Sequence, residues 1–208
     1  MAFIKKSRNS DALAQDERKV QRDCSSLALG LEQPDPLARR WAARDLADCP
    51  DASAALVSRL QREDDASVRE IIFSTLTCLG DDIAVAGLVQ CLRSDDAALR
   101  NEAIEAMKQL PDEVAAIMQG LLEDSDADVR IFAVNVLESL RHPEVESWLI
   151  EVIERDPHVN VCATAVDLLG EVGTEASREP LRHLKARFAD EPYIQFAADL
   201  ALKRIAEI

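Results

Sequence analysis

Aromatic side chains make up only 4% of this 208-residue chain. Apolar residues still reach 48%, so a core has to close on Ala, Leu, Val and Ile, which suit closely packed helix pairs. Basic residues are also few, 24 Lys and Arg against 39 Asp and Glu, for a net charge of −15. Residues 1–23 hold six bases and four acids, +2, which leaves −17 on the rest. A body this acidic repels phosphate backbones and anionic membranes, so nucleic acid and membrane are not its expected partners. No stretch approaches the ~20 apolar residues of a membrane span. No long apolar run follows Lys5 and Lys6 as it does in a signal peptide. Five cysteines (Cys24, Cys49, Cys78, Cys91 and Cys162) include no CxxC pair. They are expected to be free thiols in a reducing compartment, with the protein cytoplasmic. Cys78 and Cys91 fall on apolar helix faces and are expected in the core. Strand-type alternation and a Gly-rich phosphate loop are both missing.

What is present is a pattern that returns. Asp, two residues, an apolar residue, then Arg or an amide opens an Ala-rich apolar helix. It reads Asp35-Pro-Leu-Ala-Arg39, Asp65-Ala-Ser-Val-Arg69, Asp96-Ala-Ala-Leu-Arg100, Asp126-Ala-Asp-Val-Arg130, Asp156-Pro-His-Val-Asn160 and Glu191-Pro-Tyr-Ile-Gln195. The intervals are 30, 31, 30, 30 and 35 residues. Such a period means stacked units that bury their apolar faces on their neighbours. The acid stands where a helix N-cap would accept free backbone N–H groups.

In each unit a Pro or Gly then breaks the helix and an acid starts a second one, as at Cys49-Pro50-Asp51 and Gly80-Asp81. Second helices are expected over about 51–62, 82–93, 112–123, 144–154 and 175–188. Pro180 falls inside the last of these and should start or kink its helical body. Residues 1–21 show no apolar period and read as a flexible N-terminal tail, followed by the array over 22–208.

These helix pairs resemble HEAT repeats, of the short bacterial type also called phycobilisome-lyase HEAT-like. The resemblance implies an all-α fold, an α-solenoid of about five to six helix pairs in a right-handed superhelix. It also implies a ladder in which an Arg of the first helix meets an Asp of the turn. The matching positions are Arg39, Arg69, Arg100 and Arg130 with Asp51, Asp81 and Asp112. Related hydroxylases bind iron through His-Glu pairs. This chain has only His142, His158 and His183, none followed by Glu, so no metal, cofactor or catalytic set is expected.

The expected function is a non-enzymatic scaffold or adaptor for another protein, in a bacterial signalling pathway of chemosensory type by resemblance. The alternative is a bilin-lyase-like or chaperone-like subunit acting on a chromophore protein. Partner contacts are expected at Gln90 and Gln119 on the apolar second helices, at Trp148, and at Phe3, Ile4, Lys5 and Lys6 in the tail. Trp148 stands in the register of the core positions Met118 and Leu88. Gly87 and Gly120 are expected to let neighbouring helices approach closely. The last helix, from Glu191, lacks a following unit and is expected to cap the array or pair with a second copy.

Overall fold

A computed structural model describes residues 23–206. The tail positions Phe3, Ile4, Lys5 and Lys6 lie outside the described residues. Twelve α-helices and no strand occur among those described. They are α1 (Cys24–Gly30), α2 (Pro36–Asp45), α3 (Ser53–Leu60), α4 (Ala66–Leu79), α5 (Asp82–Cys91) and α6 (Ala97–Met107). Then follow α7 (Pro111–Leu122), α8 (Ala127–Leu137), α9 (Val145–Arg155), α10 (Val159–Val172), α11 (Arg178–Arg187) and α12 (Pro192–Ile205).

Even-numbered helices stack in one layer, each on the next, from α2 through to α12. The second layer runs α3, α5, α7, α9, α11; of its adjacent pairs, α7 and α9 touch least. One continuous core lies between the layers, and Leu56, Leu88, Met118 and Leu149 of the second layer are completely buried in it. No described helix is long and apolar enough to cross a membrane.

Local chemistry sets the helix starts. Asp35, Asp65, Asp96 and Asp126 each accept a backbone N–H of the first turn, at 2.8–3.2 Å. Asp156 departs from this role. His158 takes the N-cap position of α10, and the Asp156 carboxylate turns to Arg130 at 2.6 Å. Glu191 starts α12 without a side-chain cap bond. Pro180 lies in the first turn of α11, after a 3-10 turn over Glu175–Ser177, where its missing N–H costs no helical bond.

The arginines do not ladder to the turn acids. Arg39 makes a two-pronged pair with Glu63, both contacts 2.8 Å. Arg69 faces Asp96 at 3.6 Å and Glu102 at 3.3 Å. Arg100 donates to the Ser94 carbonyl at 2.6 Å and lies over the Phe132 ring. Asp81 caps α5 at the Ala84 N–H, 2.8 Å away, and accepts from the Ser53 hydroxyl. Asp51 and Asp112 pair with no arginine among the described residues. The reason is length. The Arg sits in the first turn of its helix and the turn acid follows the far end, about 15 Å away at 1.5 Å per residue. The loop closing the second helix is nearer: its acids receive Arg39 and Arg130, and its Ser94 carbonyl receives Arg100.

Two cysteines depart from expectation as a pair. Cys24 and Cys49 form a disulfide, with Cα atoms 5.8 Å apart. It ties α1 to the end of the first repeat helix and removes the ground for a reducing compartment. Cys78 is exposed rather than in the core, whereas Cys91 and Cys162 are buried. Burial pushes the Cys91 thiol up to about 11.

Gly87 does bring two helices together: a β-carbon there would lie 2.3 Å from Val57. Gly120 does not, since nothing lies within 4 Å of its missing β-carbon.

Candidate functional site

The second helices end on one edge of the array, and polar side chains clasp neighbouring ends there. Residues 62, 93, 124 and 155 hold equivalent places, 31 apart. Arg62 reaches back to Glu32 at 2.7 Å and joins α3 to the end of α1. Gln61 donates to Gln90 at 2.7 Å between α3 and α5. Arg93 meets Asp124 at 3.3 Å between α5 and α7. Arg187 reaches the Glu154 and Asp156 carbonyls between α11 and α9.

The step from α7 to α9 has no such clasp at its rim among the described residues. Arg155, next in the series, folds back along its own helix to Glu151. A cavity of about 330 Å³ opens in the groove that is left. Its walls come from Gln119, Leu122 and Glu123 on one side and from Trp148, Glu151, Val152 and Arg155 on the other. Beneath it lies the Arg130–Asp156 pair, with Pro157 beside it.

Each wall residue is placed by local structure. Trp148 is half-buried and stacks on His142, ring centroids 5.0 Å apart and planes 10° from parallel. Its expected core position is taken by Leu149, completely buried. Twelve residues separate Met118 from Arg130 but eleven separate Leu149 from Asn160, so counting back from the next helix misses the core by one place. Gln119 is exposed on the last turn of α7 and approaches Glu123 at 3.4 Å.

The Arg130–Asp156 pair is buried and two-pronged. Arg130 donates to both Asp156 oxygens, at 2.6 and 3.1 Å, and to the Asp124 carbonyl at 2.7 Å. It thus binds the loops after α7 and α9 together from below while their upper turns stand apart. Asp156 also accepts the His158 N–H at 2.8 Å.

Chemically, this is a recess with aromatic and aliphatic walls, an ion pair beneath them and a charged rim. Asp124 and Asp156 are each matched by an arginine, and among the described residues the Glu123 carboxylate has a long contact with Gln119 and no ion pair. No group of three or more His, Cys, Asp or Glu able to hold a metal ion occurs among the described residues. At the recess, hydrogen bonds from Arg93 and the Asp126 N–H hold the Asp124 carboxyl below the ordinary carboxylate range, whereas Glu63 and Glu146, also lowered, serve inter-helix contacts away from it.

Of the residues singled out in the sequence, Gln119 and Trp148 meet across this recess. Gln90 lies two helices away, bonded to Gln61. Glu151, Arg155 and Pro157 carry no motif. Their only signal is the 31-residue series in which Arg155 follows Arg62, Arg93 and Asp124.

The family model for HEAT repeats matches residues 25–108 and 114–203. No curated protein matches the chain. Among solved structures, human deoxyhypusine hydroxylase in complex with glycerol is 17% identical, with 89% of this chain and 85% of that one covered and a TM-score of 0.45. The complex of CpcE and CpcF of phycocyanin lyase from a Nostoc species is 18% identical, with 99% of each chain covered and a TM-score of 0.39. A designed armadillo repeat protein in complex with peptide (KR)4 is 17% identical, with 88% and 100% covered and a TM-score of 0.43.

Proposed function

Since the chain belongs to the HEAT-repeat family, we propose that it is a non-enzymatic scaffold whose α7–α9 groove holds a peptide segment of another protein. The observation that carries this reading is the open recess at Trp148, the one step of the second layer without a rim clasp among the described residues. A partly exposed Trp held flat by a second ring is a stiff anchor wall that loses little entropy on contact. Between the walls, Leu122 and Val152 take one apolar side chain. Glu123 at the rim favours a basic residue next to it. Gln119 offers a carboxamide to the backbone of an extended segment.

The test is selection from a random peptide display library on the immobilised full chain, repeated on the Trp148→Ala variant. Enrichment of peptides pairing an apolar with a basic residue, lost in the variant, supports the reading. Absent enrichment, or enrichment that survives Trp148→Ala, overturns it. Circular dichroism of the variant confirms that the array stays folded, since Trp148 lies beside the core rather than in it.

A further inference from the structure

The last helix, α12, shows a second surface unrelated to the recess. Tyr193, Phe196 and Leu200 are 53%, 66% and 38% exposed. Their spacing of three and four puts them on one stripe. The opposite stripe of α12, with Ile194, Ala197, Ala198 and Ala201, is buried on the neighbouring helices. Two aromatic rings and a leucine side by side on a charged protein form a patch that soluble surfaces normally cover.

We infer that this stripe is covered by α12 of a second copy, the two helices lying antiparallel about a two-fold axis. The charges flanking the stripe argue for that occupant. Asp190 and Glu191 are exposed at its beginning, and Lys203 and Arg204 are exposed at its end. None of the four makes an ion pair among the described residues. Laid antiparallel on itself, the stripe sets Phe196 near Phe196 and Tyr193 near Leu200. The acids of each copy then face the bases of the other, twice over. A parallel copy would set acid on acid and base on base. The pattern is self-complementary in one orientation, which is what a two-fold contact requires.

A contact of one helix with its own copy falls at the small end of interfaces, under about 1,200 Å² in total. The equilibrium is therefore read over a wide concentration series, by sedimentation of the full chain in a Cys78→Ser background that removes the exposed thiol. A monomer–dimer equilibrium is expected. Glu191→Lys or Lys203→Glu alone should each raise the dissociation constant at least about tenfold by setting like charges together. An equimolar mixture of these two variants should recover the affinity, because the mixed pair restores both contacts. The double variant Glu191→Lys/Lys203→Glu should recover it as well. Phe196→Glu should give a monomer with unchanged circular dichroism. A monomer at every concentration, mass growing beyond the dimer, a mixture that fails to recover, or a dimer that survives Phe196→Glu would each overturn the inference. Since α12 lies apart from α7 and α9, peptide selection at Trp148 reads out independently of this result.

Discussion

The α-carbon of Gly87 faces Val57 so closely that a β-carbon would stand 2.3 Å from the valine Cγ2 and 3.0 Å from its Cγ1. No side chain other than hydrogen fits between α3 and α5 at that point. The contact fixes how near the two helices lie, and the Gln61–Gln90 bond forms one turn further on.

Two glycine substitutions should therefore act in opposite directions. Gly87→Ala is expected to destabilise by roughly 1–3 kcal/mol through overpacking, and Val57→Ala in the same chain should relieve part of the loss. Gly120→Ala meets open space in the last turn of α7 and should stabilise by up to roughly 0.5–1 kcal/mol. Urea denaturation of the three variants measures both signs.

Removing one partner of the buried Arg130–Asp156 pair should cost far more than removing both. Asp156→Ala leaves a guanidinium buried without its counter-charge and is expected to cost roughly 3–5 kcal/mol. The double replacement Arg130→Met/Asp156→Leu should cost clearly less than the two single changes together. The midpoints of chemical unfolding for the single and double variants decide it.

Acid should loosen the first units through Glu63. Burial alone pushes this carboxyl up, but hydrogen bonds from Arg39 and Arg59 outweigh it and hold it at about 2, against an ordinary 4.5. A carboxyl with a depressed folded value contributes its stability in full above the ordinary value. That contribution drains away as pH falls from about 4.5 toward 2. The loss should be on the order of 2–3 kcal/mol. Unfolding free energy measured across this window should fall less steeply in Glu63→Gln, which starts out less stable at neutral pH.

The Cys24–Cys49 bond should be visible in thiol counts and in stability. Under denaturing conditions the oxidised chain should show three reactive thiols and the reduced chain five, one for each cysteine. Closing a loop of this length is worth about 3–4 kcal/mol by the chain-entropy relation. Cys24→Ser should therefore lower the thermal midpoint, and hydrogen exchange should speed up first in α1.

Architecture was legible in the sequence because it rests on local rules repeated many times. Asp at a helix start, Pro or Gly at a break and apolar residues at spacings of three and four act within a few residues of each other. They placed α4 and α7 almost to the residue. Contacts between units were not legible. Arg39 finds Glu63, 24 residues on, and Arg130 finds Asp156, 26 residues on, and no spacing in a single unit announces either partner. Trp148 shows the same limit at finer scale. The core place of α9 falls on Leu149, one residue further on, and one residue is about 100° of helix, which leaves the indole at the groove wall. The disulfide was hidden because Cys24 and Cys49 share no motif, only a meeting in space.

The absent rim clasp between α7 and α9 has a consequence for the cost of contact. A guest entering at the α3–α5, α5–α7 or α9–α11 edge would first have to displace the Gln61–Gln90, Arg93–Asp124 or Arg187–carbonyl bonds. Beside Trp148, the recess of about 330 Å³ asks for no such exchange among the described residues, so contact there is gained without an inter-helix bond being given up.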